Sequence, residues 1–133
     1  MTVSPKPTIL ICDDEEGVRE SFKLILETDY QLKFAKNGLE ALEFLKSSAP
    51  DAMLLDIKMP KMNGIETLKQ IKKLKPKLPV IVVTGYQSVE TAQEALRNGA
   101  SDYIPKPFES KHILKVAADL TNLSPSIPHP RKP

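Results

Sequence analysis

Short apolar runs alternate with segments of helical period from one end of this chain to the other, and that alternation leaves few folds open. Ile9-Leu10-Ile11-Cys12, Met53-Leu54-Leu55 and Val80-Ile81-Val82-Val83 are continuous apolar stretches of strand length, and Ser101 to Ile104 reads as a further short strand. Gln31-Leu32-Lys33-Phe34-Ala35 alternates polar and apolar instead, as an exposed edge strand does. Between these runs, Val18, Phe22, Ile25 and Leu26 recur at helical spacing, in a helix expected to begin near Glu15, capped by Asp14, and to end near Thr28. Leu39, Leu42 and Leu45 mark a second helix that must stop before Pro50. Ile65, Leu68, Ile71 and Leu74 mark a third, closed by Pro76 and Pro79. A fourth spans roughly Ser88 to Asn98 and ends at Gly99, and Ile113, Leu114, Ala117 and Leu120 line the core face of a last one.

Strands joined through helices imply right-handed crossovers and a parallel sheet covered on both faces. The economical solution is an α/β domain of (βα)₅ pattern, a doubly wound, flavodoxin-like three-layer sandwich with sheet order 2-1-3-4-5. That order puts the alternating 31–35 run at an edge and the first and third strands side by side.

Each of the four other strands ends in a polar residue suited to phosphate or metal chemistry: Asp13-Asp14, Asp56, Thr84 and Lys106. In open α/β sheets the ligand crevice lies beyond the strand carboxyl ends, so these side chains are expected to converge. Three close carboxylates repel one another unless a hard divalent cation such as Mg²⁺ neutralises them. One of them can serve as a nucleophile toward phosphorus while a metal and a lysine offset the developing charge. Asp56 stands alone at a central strand end and is the candidate nucleophile; Asp13 and Asp14, being consecutive, suit the metal-holding role. Thr84 can hydrogen-bond a phosphoryl oxygen, and Lys106 supplies a point charge to the same group. Singly, these residues have ordinary uses as caps, turn formers, packing residues or solvated charges. No Gly-rich phosphate loop follows any strand, which argues against nucleotide binding.

Asp13-Asp14, Asp56 followed by Met59-Pro60 and Gly64, Thr84-Gly85, and Lys106-Pro107-Phe108 together resemble the signature of bacterial two-component response-regulator receiver domains of the CheY-like kind, in family order over about Thr8 to Leu123. The resemblance implies phosphorylation of Asp56 by a sensor histidine kinase. It implies Mg²⁺ held by Asp14, Asp56 and the Lys58 backbone carbonyl, with Asp13 acting through water. Tyr103 matches the family's switch aromatic, paired with Thr84, and Lys106-Pro107 the peptide that is usually cis. Lys58 and Tyr86 match positions bordering the path of the hydrolytic water, where they would tune dephosphorylation. The readout expected is the face of the fourth helix, fifth strand and fifth helix, which a kinase, an output domain or downstream target, or a second receiver forming a homodimer could read. Such a protein catalyses only its own phosphorylation and dephosphorylation. A haloacid-dehalogenase-like phosphatase shares the chemistry but wants Asp-x-Asp after its first strand, where this chain has Asp13-Asp14-Glu15; a phosphorylation-independent pseudo-receiver would lack the acceptor or the lysine.

The 133 residues, 41% hydrophobic and 27% charged, suit one domain, and the net charge of +2 is too small to argue for nucleic acid. No run reaches the roughly 18 apolar residues of a membrane span and the start lacks a secretory h-region, so a cytoplasmic location is expected. Cys12, the only cysteine, reads as a buried small hydrophobe. His112 and His129 are not read as ligands, and Lys69, Lys72, Lys73, Lys75 and Lys77 read as a solvated helix face. Residues 1–7 are expected to form a disordered lead, 8–123 the receiver domain, and 124–133, with its prolines, a linker or tail.

Overall fold

A computed structural model describes residues 6–58, 63–85 and 89–121. Five strands, β1 (Thr8–Cys12), β2 (Gln31–Ala35), β3 (Ala52–Leu55), β4 (Val80–Thr84) and β5 (Asp102–Pro105), form one sheet in the order β2-β1-β3-β4-β5. All four pairings are parallel. Five helices alternate with them: α1 (Glu16–Leu26), α2 (Gly38–Ser47), α3 (Gly64–Leu74), α4 (Val89–Arg97) and α5 (Ser110–Thr121). The expected (βα)₅ topology is the one observed.

The continuous apolar runs are explained by burial on both faces. Along β1, β3 and β4, Leu10, Cys12, Met53, Leu55, Val80 and Val82 point into one core with the buried residues of α2, α3 and α4. Their alternates Ile9, Ile11, Leu54, Ile81 and Val83 point into a second core with Phe22 and Leu26 of α1 and Ile113, Val116 and Ala117 of α5. A strand of period 2 inside a sandwich must be apolar at every position, whereas β2, with Gln31, Lys33 and Phe34 exposed, is less covered because it lies at the sheet edge.

Several local details depart from the expected ones. α1 starts at Glu16, its N-cap Glu15 makes no side-chain cap bond, and Asp13, not Asp14, accepts the Glu15 N–H on Oδ1 at 2.9 Å. Asp13 can do this because the chain turns immediately after β1, bringing the amide two residues on over its own carboxylate. α2 is capped by Asn37, which accepts from Glu40 N, while Glu40 reaches back to Lys36 N at 2.8 Å. Its buried stripe is Gly38, Ala41 and Leu45, with Leu39 63% exposed. Lys72 is not a solvated charge: its ammonium donates to the Leu78 carbonyl at 2.6 Å and burial pulls its pKa down. As expected, Gly99 closes the α4 region, with φ +105°, a conformation that disfavours any side chain. Within the expected N-terminal lead, Lys6 donates to the Glu27 carbonyl and Pro7 accepts from Gln31 N. The rest of that lead, the 124–133 tail, Met59-Pro60 and Tyr86 lie outside the described residues.

Candidate functional site

The carboxyl ends of β1 and β3 are neighbours, with Cys12 in register with Leu55, so the residues that follow them must emerge side by side. Carboxylate oxygens of Asp13, Asp14 and Asp56 lie within 4.8 Å of one another. Asp13 and Asp56 are buried, while Asp14 is exposed at the mouth. Thr84, the last residue of β4, is buried beside them, and its carbonyl accepts the Lys106 N–H at 2.9 Å, which sets the start of the segment after β5.

Lys106 binds the cluster together. Its Nζ lies 2.8 Å from Asp13 Oδ2 and 3.0 Å from Asp56 Oδ2. The remaining oxygens of the same two carboxylates also have partners: Asp13 Oδ1 accepts from Glu15 N, and Asp56 Oδ1 accepts from Lys58 N at 2.8 Å. Burial pushes the Asp13 carboxyl above its ordinary pKa, opposed by its bonds from Lys106 and the Glu15 amide. Burial alone would lower Lys106, but its hydrogen bonds to Asp13 and Asp56 win and raise it, so the ammonium stays charged at neutral pH. Cys12, buried beneath, is pushed up to about 12 by burial first and by the surrounding carboxylates second, and is therefore a neutral thiol.

Three further residues support this geometry; Gly64 and Phe108 belong to the motif quoted above, whereas Arg19 had no signal in the sequence. Arg19, half-buried on α1, donates to the Asp13 carbonyl at 2.8 Å, tying the β1–α1 turn to the helix that follows. The Phe108 ring stacks on Phe22 of α1, with centroids 4.8 Å apart, and anchors the chain just past Lys106-Pro107, a cis peptide in this structure. Gly64, the first residue of α3, packs so tightly on Ile57 that a Cβ there would overlap its backbone and side chain. Gly64→Ala should therefore push the segment directly after Asp56 and cost about 2 kcal/mol, the ordinary scale of overpacking, measurable by urea denaturation. Stability equal to wild type would show that the α3 start can retreat freely.

Tyr103 lies on β5 in register with Val82 and is half-buried, packed against the core shared by α2, α3 and α4. Burial and, second, the Asp56 charge raise its pKa. Lys58 follows Asp56 by two residues and is exposed.

A cluster of two buried carboxylates and one exposed carboxylate, with the Lys106 ammonium against the two buried ones, has the hard-oxygen donor chemistry of a small divalent metal site. The donor set fits Mg²⁺, with Asp14 at the open side and Asp13 already committed to Lys106 and Glu15 N.

Comparison with known proteins gives the family of the chain as a whole. The family described as response regulator receiver domain matches residues 9–118. The response regulator MprA of Mycobacterium ulcerans is 40% identical over 107 residues, 80% of this chain and 46% of that protein. MprA of Mycobacterium sp. strain KMS is 38% identical over 119 residues, 88% of this chain and 52% of that one. This chain thus spans about half the length of the curated relatives it matches. Among solved structures, the CheY-like receiver domain protein of Methanospirillum hungatei superposes with a TM-score of 0.82 at 37% identity, covering 90% of this chain and 96% of that one. NtrX from Brucella abortus gives 0.81 at 33% identity over 88% of this chain and 27% of its own.

Proposed function

The chain belongs to the response regulator receiver domain family of two-component signalling, and from that premise we propose that Asp56 is its phosphoacceptor, charged by a sensor histidine kinase. The observation that supports this most is the double contact of Lys106 with Asp13 and Asp56, at 2.8 and 3.0 Å, beside an exposed third carboxylate. Asp56 Oδ1 is held by the Lys58 amide, which leaves Oδ2 as the oxygen that faces the ammonium. In the transfer, an Asp56 oxygen attacks phosphorus, the bond from phosphorus to the donor nitrogen breaks, and the electron pair leaves with that nitrogen, which takes a proton. Lys106 would then neutralise the phosphoryl oxygens, and Thr84, buried at the end of the adjoining strand, would hydrogen-bond one of them.

Asp14, Asp56 and the Lys58 carbonyl would hold Mg²⁺, with Asp13 behind them. Bound there, the ion supplies positive charge to the same oxygens that Lys106 meets. The protein turns over no separate substrate in this reading, acts in the cytoplasm, and passes its signal to an output domain or a downstream protein. No helix among the described residues is long and apolar enough to cross a membrane. Incubation with acetyl phosphate and Mg²⁺ followed by intact-mass measurement tests the whole assignment: one phosphoryl adduct is expected, and rapid turnover of phosphate esters with no adduct would favour a phosphatase.

Two finer roles follow from the same reading. Lys58 and Tyr86, two residues past Asp56 and Thr84, would shield the acyl phosphate from water, so Tyr86→Ala should lose label severalfold faster in a decay assay; equal or slower loss removes Tyr86 from the role. Phosphorylation would draw Thr84 toward Asp56 and let the half-buried Tyr103 ring move further in, changing the surface made with Ala92 and Leu96 on the α4-β5-α5 face, while Ala95 is buried in the core beneath it. Chemical shifts with and without beryllofluoride and Mg²⁺ should move at Tyr103 and along α4. Movement confined to the acidic pocket would rule this switch out.

A further inference from the structure

Of the three carboxylates in the acidic cluster, Asp14 is held differently from the other two. Asp13 and Asp56 each place one oxygen on Lys106 Nζ and the other on a backbone amide. Asp14 is exposed, and among the described residues no hydrogen bond or ion pair fixes its carboxylate. Its direction is therefore set by the backbone that carries it, above all by the plane of the peptide joining Asp13 to Asp14. The oxygen of that peptide is the Asp13 carbonyl, and Arg19 donates to it from Nη1 at 2.8 Å. The Asp13 N–H donates to the Ala35 carbonyl at 3.1 Å, where the pairing of β1 with β2 ends. Asp13 is thus pinned on one side to the sheet and on the other to α1. Arg19 is half-buried and is the fourth residue of α1, close to the positive end of the helix dipole, where a cation is mildly unfavourable. Its place is explained by the carbonyl it reaches and not by the helix it sits on.

We propose that Arg19 is a positioning residue for the cation site: by holding the plane of the Asp13–Asp14 peptide it presets the Asp14 carboxylate beside Asp56, and so sets the affinity for Mg²⁺. The inference rests on the reading of Asp14 and Asp56 as Mg²⁺ ligands and adds what keeps the exposed one in place. Mg²⁺ demands near-octahedral oxygens, so a ligand free to swing binds it less well than one already aimed. Groups one step behind a metal's ligands carry roughly ten- to a hundredfold in affinity. Two effects of Arg19 have opposite signs, which makes the role testable. As a positive charge near the pocket it repels a second cation, so on charge alone its removal would tighten Mg²⁺ binding. As the group that orients Asp14, its removal weakens binding. Orientation is the larger effect, because a half-exposed guanidinium is screened by solvent and salt.

Titration of the metal-free full chain with Mg²⁺, followed by the amide chemical shifts of Glu15 and Lys58 with no phosphoryl donor present, tests the proposal. Arg19→Ala should raise the Mg²⁺ concentration at half-saturation roughly tenfold. Arg19→Lys, whose ammonium can donate to the same carbonyl, should recover most of the wild-type affinity. Lys23→Ala removes the same charge one turn further along α1, at an exposed position, and should leave the affinity within about twofold of wild type. Labelling by acetyl phosphate should divide in the same way: in Arg19→Ala the Mg²⁺ needed for half-maximal rate rises by the same factor, while the rate at saturating Mg²⁺ stays near that of wild type. Amide shifts outside the pocket report whether each variant is folded, and Arg19→Gln, a milder truncation expected to fall between the alanine and lysine variants, serves if Arg19→Ala is not. Unchanged or tighter Mg²⁺ binding in the truncated variants, a loss undiminished in Arg19→Lys, or an equal loss in Lys23→Ala would each overturn the role of Arg19 and leave the metal site standing. No saturable shift in the wild type would overturn the metal site itself and this inference with it.

Discussion

Asp56→Asn is expected to abolish the phosphoryl adduct completely, and with only a small change in stability. The amide oxygen can still accept the Lys58 N–H that Asp56 Oδ1 accepts at 2.8 Å, so the turn after β3 is preserved. An amide nitrogen or oxygen lacks the nucleophilicity of a carboxylate, so acetyl phosphate should leave the mass unchanged under conditions that label wild type. Two effects on stability oppose one another. The variant loses the contact between Lys106 and Asp56 at 3.0 Å, but it also removes one of the charges that raise Asp13. The balance in EDTA should lie within about 1 kcal/mol of wild type. Full labelling would move the acceptor elsewhere, and a far larger loss of stability would mean that the Asp56 charge holds the fold.

Lys106→Met should have the largest effect on stability, because it leaves Asp13 and Asp56, with side chains 2% and 5% exposed, without their cation. Breaking a buried pair by removing one partner costs about 3–5 kcal/mol, which for a domain of this size lowers Tm by about 10 °C or more. The loss should be greatest in EDTA and smaller in millimolar Mg²⁺, since a divalent cation among the carboxylates replaces part of the missing charge. Equal Tm values with and without Mg²⁺ in this variant would count against a metal site here.

The pH dependence gives an independent reading of the same change. Asp13 has a folded pKa above its ordinary value of 3.8, so between that value and the folded one the native state holds more protons than the unfolded state. Its contribution to stability is therefore lost as pH rises through that window and is constant above it. Lys106 holds the Asp13 pKa down, so removing it lifts the upper edge of the window and enlarges the loss. The Tm difference between wild type and Lys106→Met should be small near pH 4 and wide at neutral pH. At the alkaline end the trend reverses. Lys106 is raised above 10.5, so wild type loses the benefit of the pair as pH climbs past that range, while the variant has none to lose. The two melting curves should converge again there, and a difference independent of pH would assign the loss to packing of the lysine stem instead.

Hydrophobic period carried the architecture a long way. The continuous runs in β1, β3 and β4 and the alternating run in β2 differ because central strands are buried on both faces and an edge strand is not, and that difference alone assigned β2 to the edge. The strand ends were equally legible: four polar residues placed after four apolar runs had to come to one edge once the sheet was parallel. Finer placements were not. Asp14 looked like the α1 cap, but the chain turns so tightly after β1 that the Glu15 amide falls on Asp13. Lys72 looked like one of five solvated lysines, yet the loop after α3 brings the Leu78 carbonyl within its reach.

What the sequence by itself determined, then, is the order of strands and helices, the parallel sheet, and the set of side chains gathered at its carboxyl edge, because periodicity and strand termini are local properties. What only the tertiary structure decided is how those side chains are held. Lys106 reaches Asp13 and Asp56 across 93 and 50 residues of chain, Arg19 grips the Asp13 carbonyl, Phe108 stacks on Phe22, and Gly64 is pressed to Ile57. The exposure of Leu39 and Leu74 belongs to the same class. A leucine at helical spacing is buried or bare according to how the neighbouring helix is set on the sheet, and that angle is a property of two packed elements that neither segment encodes alone.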